Sequence, residues 1–251
     1  MGLYRRPHEL SAALEALAQG PWQVMAGGTD LFPARAHRAA WGNPEQADQL
    51  DITAIPELRG ITRAPDSWRI GAATSWASLR DADLPPGFDA LREAARQVGG
   101  RQVQARGTIG GNLCNASPAA DGVPPLLVLD AEVELASQRG RRRLKLAEFI
   151  LGNRRTARAP DELLVALHVP MARAAWRSVF LKLGARAHLV ISIVMVAANA
   201  EGRIAIGSCS EVARLWGEGA LTPMDDVRGT ADYRRAAAAE LVARARESLA
   251  A

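Results

Sequence analysis

The chain has 251 residues, 48% of them hydrophobic and 23% charged, which is the balance of a water-soluble globular protein with apolar material for one large core or two smaller ones. Its 31 basic and 27 acidic residues are interspersed, so the net charge of +4 does not argue for nucleic acid, and no aromatic residues interleave the densest basic run, 139–145, to stack on bases. The longest apolar stretch, 189–198, falls well short of the roughly 18 residues of a bilayer span, residues 1–11 lack a signal-peptide core, and two distant cysteines make neither a disulfide framework nor a zinc site, which together point to a reducing, cytoplasmic setting, with export of the folded chain alongside a leader-bearing partner left open.

In chain order, residues 7–18 predict a helix with Leu10, Leu14 and Leu17 on one face and Gly20 as its stop. Residues 22–26 predict a short strand that runs into the turn Ala26-Gly27-Gly28-Thr29-Asp30, followed by a polar, irregular stretch to Asp48. Short strands at 49–52, 58–62 and 68–72 complete a small α/β unit. A helix over 87–98 carries Phe88, Leu91, Ala94, Ala95 and Val98 at helical spacing and ends at Gly99-Gly100. The second glycine turn, Thr108-Ile109-Gly110-Gly111-Asn112, comes ten residues later. Residues 123–129 predict a helix entered through Asp121, 131–136 a strand, 139–145 a solvated basic turn and 163–169 a strand between Pro160 and Pro170. Beyond Pro170, strands at 176–183, 189–198 and 203–208 predict an antiparallel sheet, closed by a helix over 231–251.

Neither glycine turn fits the dinucleotide fingerprint or the phosphate loop that ends in Gly-Lys-Ser/Thr. Both lack a bulky side chain at the pivot. Glycine reaches φ > 0 and lets neighbouring N–H groups converge, which makes an anion-binding concavity suited to a pyrophosphate. Two cysteines are half of the about four ligands that an ordinary iron–sulfur cluster takes, so any electron path through one must cross to another polypeptide.

The stretch Gly107 to Asp121, reading GTIGGNLCNASPAAD, resembles the flavin-binding motif of the medium, FAD-binding subunits of molybdenum hydroxylases, the group of xanthine dehydrogenase and carbon monoxide dehydrogenase. Ala26 to Asp30 is similar to that family's first pyrophosphate loop. Arg158-Ala159-Pro160-Asp161-Glu162-Leu163-Leu164, Lys182-Leu183-Gly184 and Asp225-Asp226-Val227-Arg228-Gly229 follow in the family's order. The resemblance implies an α+β chain: a two-subdomain PCMH-type FAD-binding fold over 1–170, divided near residue 54, then a small α+β cap domain over 171–251 with an antiparallel sheet. It implies FAD on this chain, with a molybdenum cofactor on a large subunit and two [2Fe–2S] clusters on a small subunit, in a dimer of heterotrimers. Electrons would pass from the clusters through FAD to a terminal acceptor.

By the same resemblance, Ala26, Gly27, Gly28, Thr29 and Asp30 hold the pyrophosphate through backbone amides together with Thr108, Ile109, Gly110, Gly111 and Asn112. The side chains of Thr29, Thr108 and Asn112 would add donors. Asp121 would lie at the adenosine side, Val98 and Leu164 against the flavin, and Lys182 beside the isoalloxazine. Each has a plainer alternative: a helix N-cap for Asp121, core packing for Val98 and Leu164, and a solvent-facing lysine for Lys182. No catalytic residue and no metal ligand is expected: Asp30, His188 and Ser192 form no triad by spacing, and His8, His37 and His168 read as surface or satisfied residues. The six tryptophans read as core or interface anchors. Two departures from the family are Val190, where an aspartate often precedes Ile-Ser, and a short stretch over 213–223. Two other function classes remain open: a self-contained flavoenzyme, which needs a catalytic acid or base near the flavin, and a colourless phosphate-binding module.

Overall fold

The computed structural model describes residues 2–43 and 47–251. Its first layer is a parallel sheet in which β1 (Tyr4–Arg5) and β2 (Gln23–Met25) flank β3 (Gln49–Asp51). Helix α1 (Leu10–Gln19) connects β1 to β2 and buries Leu10, Ala13, Ala16 and Leu17, one stripe of a 3.6-residue period. That stripe packs on Leu50, Ile52, Ile55 and Leu58. Where an irregular stretch was expected, helix α2 (Leu31–Ala40) follows the first glycine turn. It buries no residue fully, so it carries no apolar period to read, and Pro33 sits in its first turn, where a missing N–H costs nothing. Residues 44–46 of that stretch lie outside the described residues.

The second layer is an antiparallel sheet built from β4 (Ile61–Arg63), β5 (Ser67–Gly71), β6 (Glu132–Ser137), β7 (Gly140–Lys145) and β10 (Leu163–Pro170), in the order β4-β5-β10-β6-β7. The strands predicted at 58–62 and 68–72 therefore belong here and not to the first unit. The former starts only at Ile61, because residues Pro56–Leu58 form a 3₁₀ turn. Between β5 and β6 run α3 (Trp76–Asp81), α4 (Asp89–Gln97), α5 (Arg101–Arg106), α6 (Ile109–Asn115) and α7 (Val123–Val128). Between β7 and β10 lie α8 (Leu146–Phe149) and the hairpin of β8 (Ile150–Gly152) and β9 (Arg155–Thr156).

Central strand β10 is buried on both faces. Leu163 and Val165 pack toward α1, whereas Leu164, Leu167 and Val169 join the helical core, a change of parity that follows from the bulge between Leu164 and Ala166. The basic run expected as a turn is the edge strand β7. Two of its arginines are matched in place: Arg141 bonds Glu134 (2.8 Å) and Glu57 (2.6 Å), and Arg142 bonds Glu162 (2.6 Å). Burial pushes Glu134 upward, but the hydrogen bonds from Arg141 and from buried His168 (2.5 Å) outweigh it and hold the carboxyl below its usual range.

After α9 (Met171–Ala174), the third layer is the antiparallel sheet β11 (Ser178–Leu183), β12 (Val194–Asn199), β13 (Ile204–Gly207) and β14 (Arg214–Leu215), backed by α10 (Ala231–Ala250). Strand β12 alternates between two cores: Met195 and Ala197 face α7 and the large core, and Val194, Val196 and Ala198 face Ala238, Val242 and Ala245 of α10. The strand predicted from Leu189 begins only at Val194, because its pairing with β11 ends at Leu183↔Val194 and Leu189 sits at φ 53°. Of the tryptophans, only Trp68 lies within a strand and only Trp76 is fully buried. Among the described residues no helix is long and apolar enough to cross a membrane.

Candidate functional site: a cleft between two glycine turns

Strand β2 delivers the chain into Ala26–Asp30, and α2 leaves it. Gly28 has φ +73°, a conformation that favours glycine. Gly27 is glycine for a different reason. A Cβ there would stand 2.1 Å from the Arg106 carbonyl oxygen and 2.8 Å from Gly107 Cα, so the first turn lies directly on the peptide that leads into the second. Within this half-buried turn the amides of Ala26, Gly27, Gly28, Thr29 and Asp30 find no acceptor among the described residues. A run of unpaired N–H groups at a concave surface calls for an anionic partner.

The second turn is built otherwise. Thr108 caps α6, its hydroxyl accepting from Gly111 N at 3.1 Å. The amides of Ile109, Gly110 and Asn112 donate to Thr74 O (3.0 Å), Ala72 O (2.8 Å) and Thr108 O (3.0 Å). These four amides are committed within the protein, and neither Gly110 nor Gly111 has a positive φ. The expectation that both turns offer free amides from left-handed glycines is therefore corrected: only the first does. Gly110 is small because a Cβ would meet Ala72 Cβ and its carbonyl oxygen at 2.7 Å and Leu164 Cδ2 at 2.9 Å. Asn112 adds an acceptor: its Oδ1 is buried without a partner among the described residues, a position that calls for a hydroxyl or N–H donor and not for a phosphate oxygen.

The two turns line one cleft of about 510 Å³, within the roughly 300–1,000 Å³ range of ligand pockets. Val98, Trp76, Val103 and Leu164 form apolar wall. Ile109 does not reach it, being fully buried in the helical core. Sequence reasoning missed Arg38, Asn115 and Arg154 and gave Arg158 no role here, yet all four line the cleft. Single arginines in an arginine-rich chain carry no signal before the fold gathers them. Cys114 opens on the same cleft, and the surrounding walls push its thiol up to about 11, with Arg158 opposing.

Asp121 and Lys182 lie outside the cleft walls and bond each other. Lys182 Nζ donates to Asp121 Oδ2 at 2.8 Å and to Gln97 O at 3.3 Å, and Ser192 Oγ donates to Asp121 Oδ1 at 2.7 Å. Lys182 is thus not a solvent-facing lysine. Nor is Asp121 the cap of α7, whose N-cap is Gly122. Burial pushes the Asp121 carboxyl above its usual range, and Lys182 and Ser192 pull it back. The pair joins the third layer to the end of α4, beside Val98. Ser192 is committed to Asp121 and Asp30 to Asn115, which leaves no triad. Among the described residues no three His, Cys, Asp or Glu side chains group as a metal site.

The remaining motifs build scaffold. Glu162 accepts from Ala159 N (2.8 Å) and Arg142, fixing the turn that starts β10. Arg234 of α10, fully buried, donates to Ser208 O (2.7 Å), Ile193 O and Asp226 (2.5 Å), clamping the 225–229 turn onto the third layer.

Residues 1–172 match the family described as the FAD binding domain in molybdopterin dehydrogenase. The chain is 35% identical over 225 residues to the xanthine dehydrogenase FAD-binding subunit of Escherichia coli O157:H7, covering 88% of this chain and 75% of that one. It is 29% identical over 275 residues to the carbon monoxide dehydrogenase medium chain of Hydrogenophaga pseudoflava, with 96% and 94% covered. A chain of the solved carbon monoxide dehydrogenase from Hydrogenophaga pseudoflava matches the fold with a TM-score of 0.85 at 27% identity, over 98% of this chain and 96% of that chain. With the free amides of the first turn suited to a diphosphate and the orphaned Asn112 oxygen to a hydroxyl or N–H donor of the ligand, the chain belongs to this family: it is an FAD-binding subunit of the molybdenum hydroxylases, an oxidoreductase component whose cofactor is FAD.

Proposed function

We propose that this subunit relays electrons from the [2Fe–2S] clusters of an iron–sulfur small subunit, supplied in turn by a molybdenum-cofactor large subunit, through FAD to a terminal acceptor, within a dimer of heterotrimers. The observation that carries the reading is the convergence of both glycine turns on one cleft. FAD supplies the reversible electron acceptance when bound. The amides of Ala26, Gly27, Gly28, Thr29 and Asp30 bind its diphosphate, with the hydroxyls of Thr29 and Thr108 and the side-chain Nδ2 of Asn112 as further donors. Val98 and Leu164 keep water from the ring system, and Ile109, Gly110 and Gly111 act as the scaffold that sets Thr108 and Asn112 in place. Asp121 and Lys182 act from behind the wall, holding the end of α4 and with it Val98.

The cleft's titratable lining favours a relay over a self-contained enzyme. Among the described residues it consists of Asp30, Arg38, Cys114, Arg154 and Arg158, with no histidine, glutamate or lysine placed for proton transfer. The purified chain should be yellow, and FAD should shield Cys114 from alkylation. Hydroxylase turnover should appear only after the iron–sulfur and molybdenum subunits are added. Substrate turnover by the isolated chain would overturn the relay, and a colourless chain that FAD does not protect would overturn the flavin site.

A further inference from the structure

A side-chain bridge spans the cleft beside the first turn. Asp30 Oδ1 accepts from Asn115 Nδ2 at 3.1 Å, and Asn115 Oδ1 accepts from Arg154 Nη1 at 2.7 Å. The three residues come from the first turn, the end of α6 and the β8–β9 connection, and all line the cleft. Asn115 works as an adapter, because its amide is at once donor to a carboxylate and acceptor from a guanidinium. The backbone below it is held in an unusual state: Ala116 at φ 45° and Arg154 at φ 56° are joined by an Arg154 N to Ala116 O hydrogen bond of 3.0 Å. Non-glycine residues stay in the left-handed region only where their surroundings over-determine them, and such residues gather at functional sites.

The charges explain why a bridge is needed. Asp30 ends the turn whose free amides face the ligand, and its carboxylate repels a diphosphate unless it is offset. Arg158 donates to the carbonyls of Glu162 (2.7 Å) and Ala159 (3.3 Å). Arg154 spends one of its five donors on Asn115, and the others have no partner among the described residues.

Resting on the flavin reading above, we propose that Arg154, aimed by Asn115, is the cation that offsets Asp30 and pairs with the diphosphate, so that the site selects ligands bearing that group (FAD, ADP) over those lacking it (riboflavin, adenosine). Apo protein prepared from the full chain is titrated calorimetrically with these four ligands at low and high salt. Arg154→Gln should weaken FAD and ADP about tenfold, flatten their salt dependence, and leave riboflavin and adenosine unchanged. Asn115→Ala should act the same way with the guanidinium still in place. Asp30→Asn added to Arg154→Gln should restore much of the loss, a rescue that a merely structural role would not give. Wild-type affinity and salt dependence in Arg154→Gln, or an equal loss for all four ligands, overturns the proposal and leaves the flavin site standing. A wild-type chain that binds neither FAD nor ADP overturns both.

Discussion

Gly27 and Gly28 stand side by side, yet substitution at each fails for its own reason. At Gly27 the obstacle is a backbone oxygen 2.1 Å from the would-be Cβ, which cannot rotate away. Gly27→Ala should therefore force the two turns apart, at a cost of about 1–3 kcal/mol, and release FAD. Gly20, with extended backbone and nothing within 4 Å of its would-be Cβ, is the control, and its alanine variant should keep full FAD occupancy. Equal occupancy in the two variants, read from the flavin-to-protein absorbance ratio, would remove the packing argument. Lys182 supports a second prediction. Lys182→Met leaves Asp121 buried without its counter-charge, a loss of about 3–5 kcal/mol at neutral pH. Burial already raises Asp121, so the folded state holds that proton more tightly than the unfolded one. Stability from such a group is full below the unfolded pKa and is lost as pH rises through the folded one. The deficit of Lys182→Met in urea unfolding should accordingly shrink as pH falls from neutral toward the ordinary carboxyl range. A deficit independent of pH would show that the missing charge is not its cause.

At the scale of elements, legibility in the sequence followed burial. Helix α4 and strands β10 and β12 were readable because Leu91, Ala94 and Ala95, Leu163 to Val169, and Val194 to Ala198 carry their apolar patterns into packed cores. Helix α2 buries nothing fully, α5 is under two turns long, and α6 owes its start to the Thr108 cap and to carbonyls from Ala72 and Thr74, far away in sequence. The glycine turns were legible for the same reason that β7 was misread: composition reports what a backbone tolerates, not which carboxylates will stand opposite its arginines. Arg234 shows how one side chain can hold an element. Its fully buried guanidinium serves carbonyls of Ile193 and Ser208 and the Asp226 carboxylate. Arg234→Met should cost about 3–5 kcal/mol, because those acceptors stay buried without donors. The loss should be local, so hydrogen exchange should quicken in α10 and β12 while β10 and β6 keep their protection. Uniform acceleration through all three sheets would mean that the third layer is not a separate cooperative unit.

Across the whole molecule, the cleft lies where the first layer meets the second: its walls are β2, the first turn and α2 on one side, and α3, α6 and the start of β10 on the other. A ligand there bridges two sheets with different cores, so its binding reports on the assembly of both. FAD at about 100 times its dissociation constant should add about 2.7 kcal/mol to the folded state, a rise in Tm of roughly 5–11 °C for a chain of this size. The distribution of that protection is the sharper test. The amides of Ala26 to Asp30 lack acceptors and should exchange fast in the apo chain, then slow markedly when the diphosphate binds. The amides of Ile109 and Gly110 are already bonded to Thr74 and Ala72 and should exchange slowly in both states. Protection gained mainly at Ile109 and Gly110 would mean that the second turn reorganises to grip the cofactor, and that the division of labour between the two turns is the reverse of the one the hydrogen bonds describe.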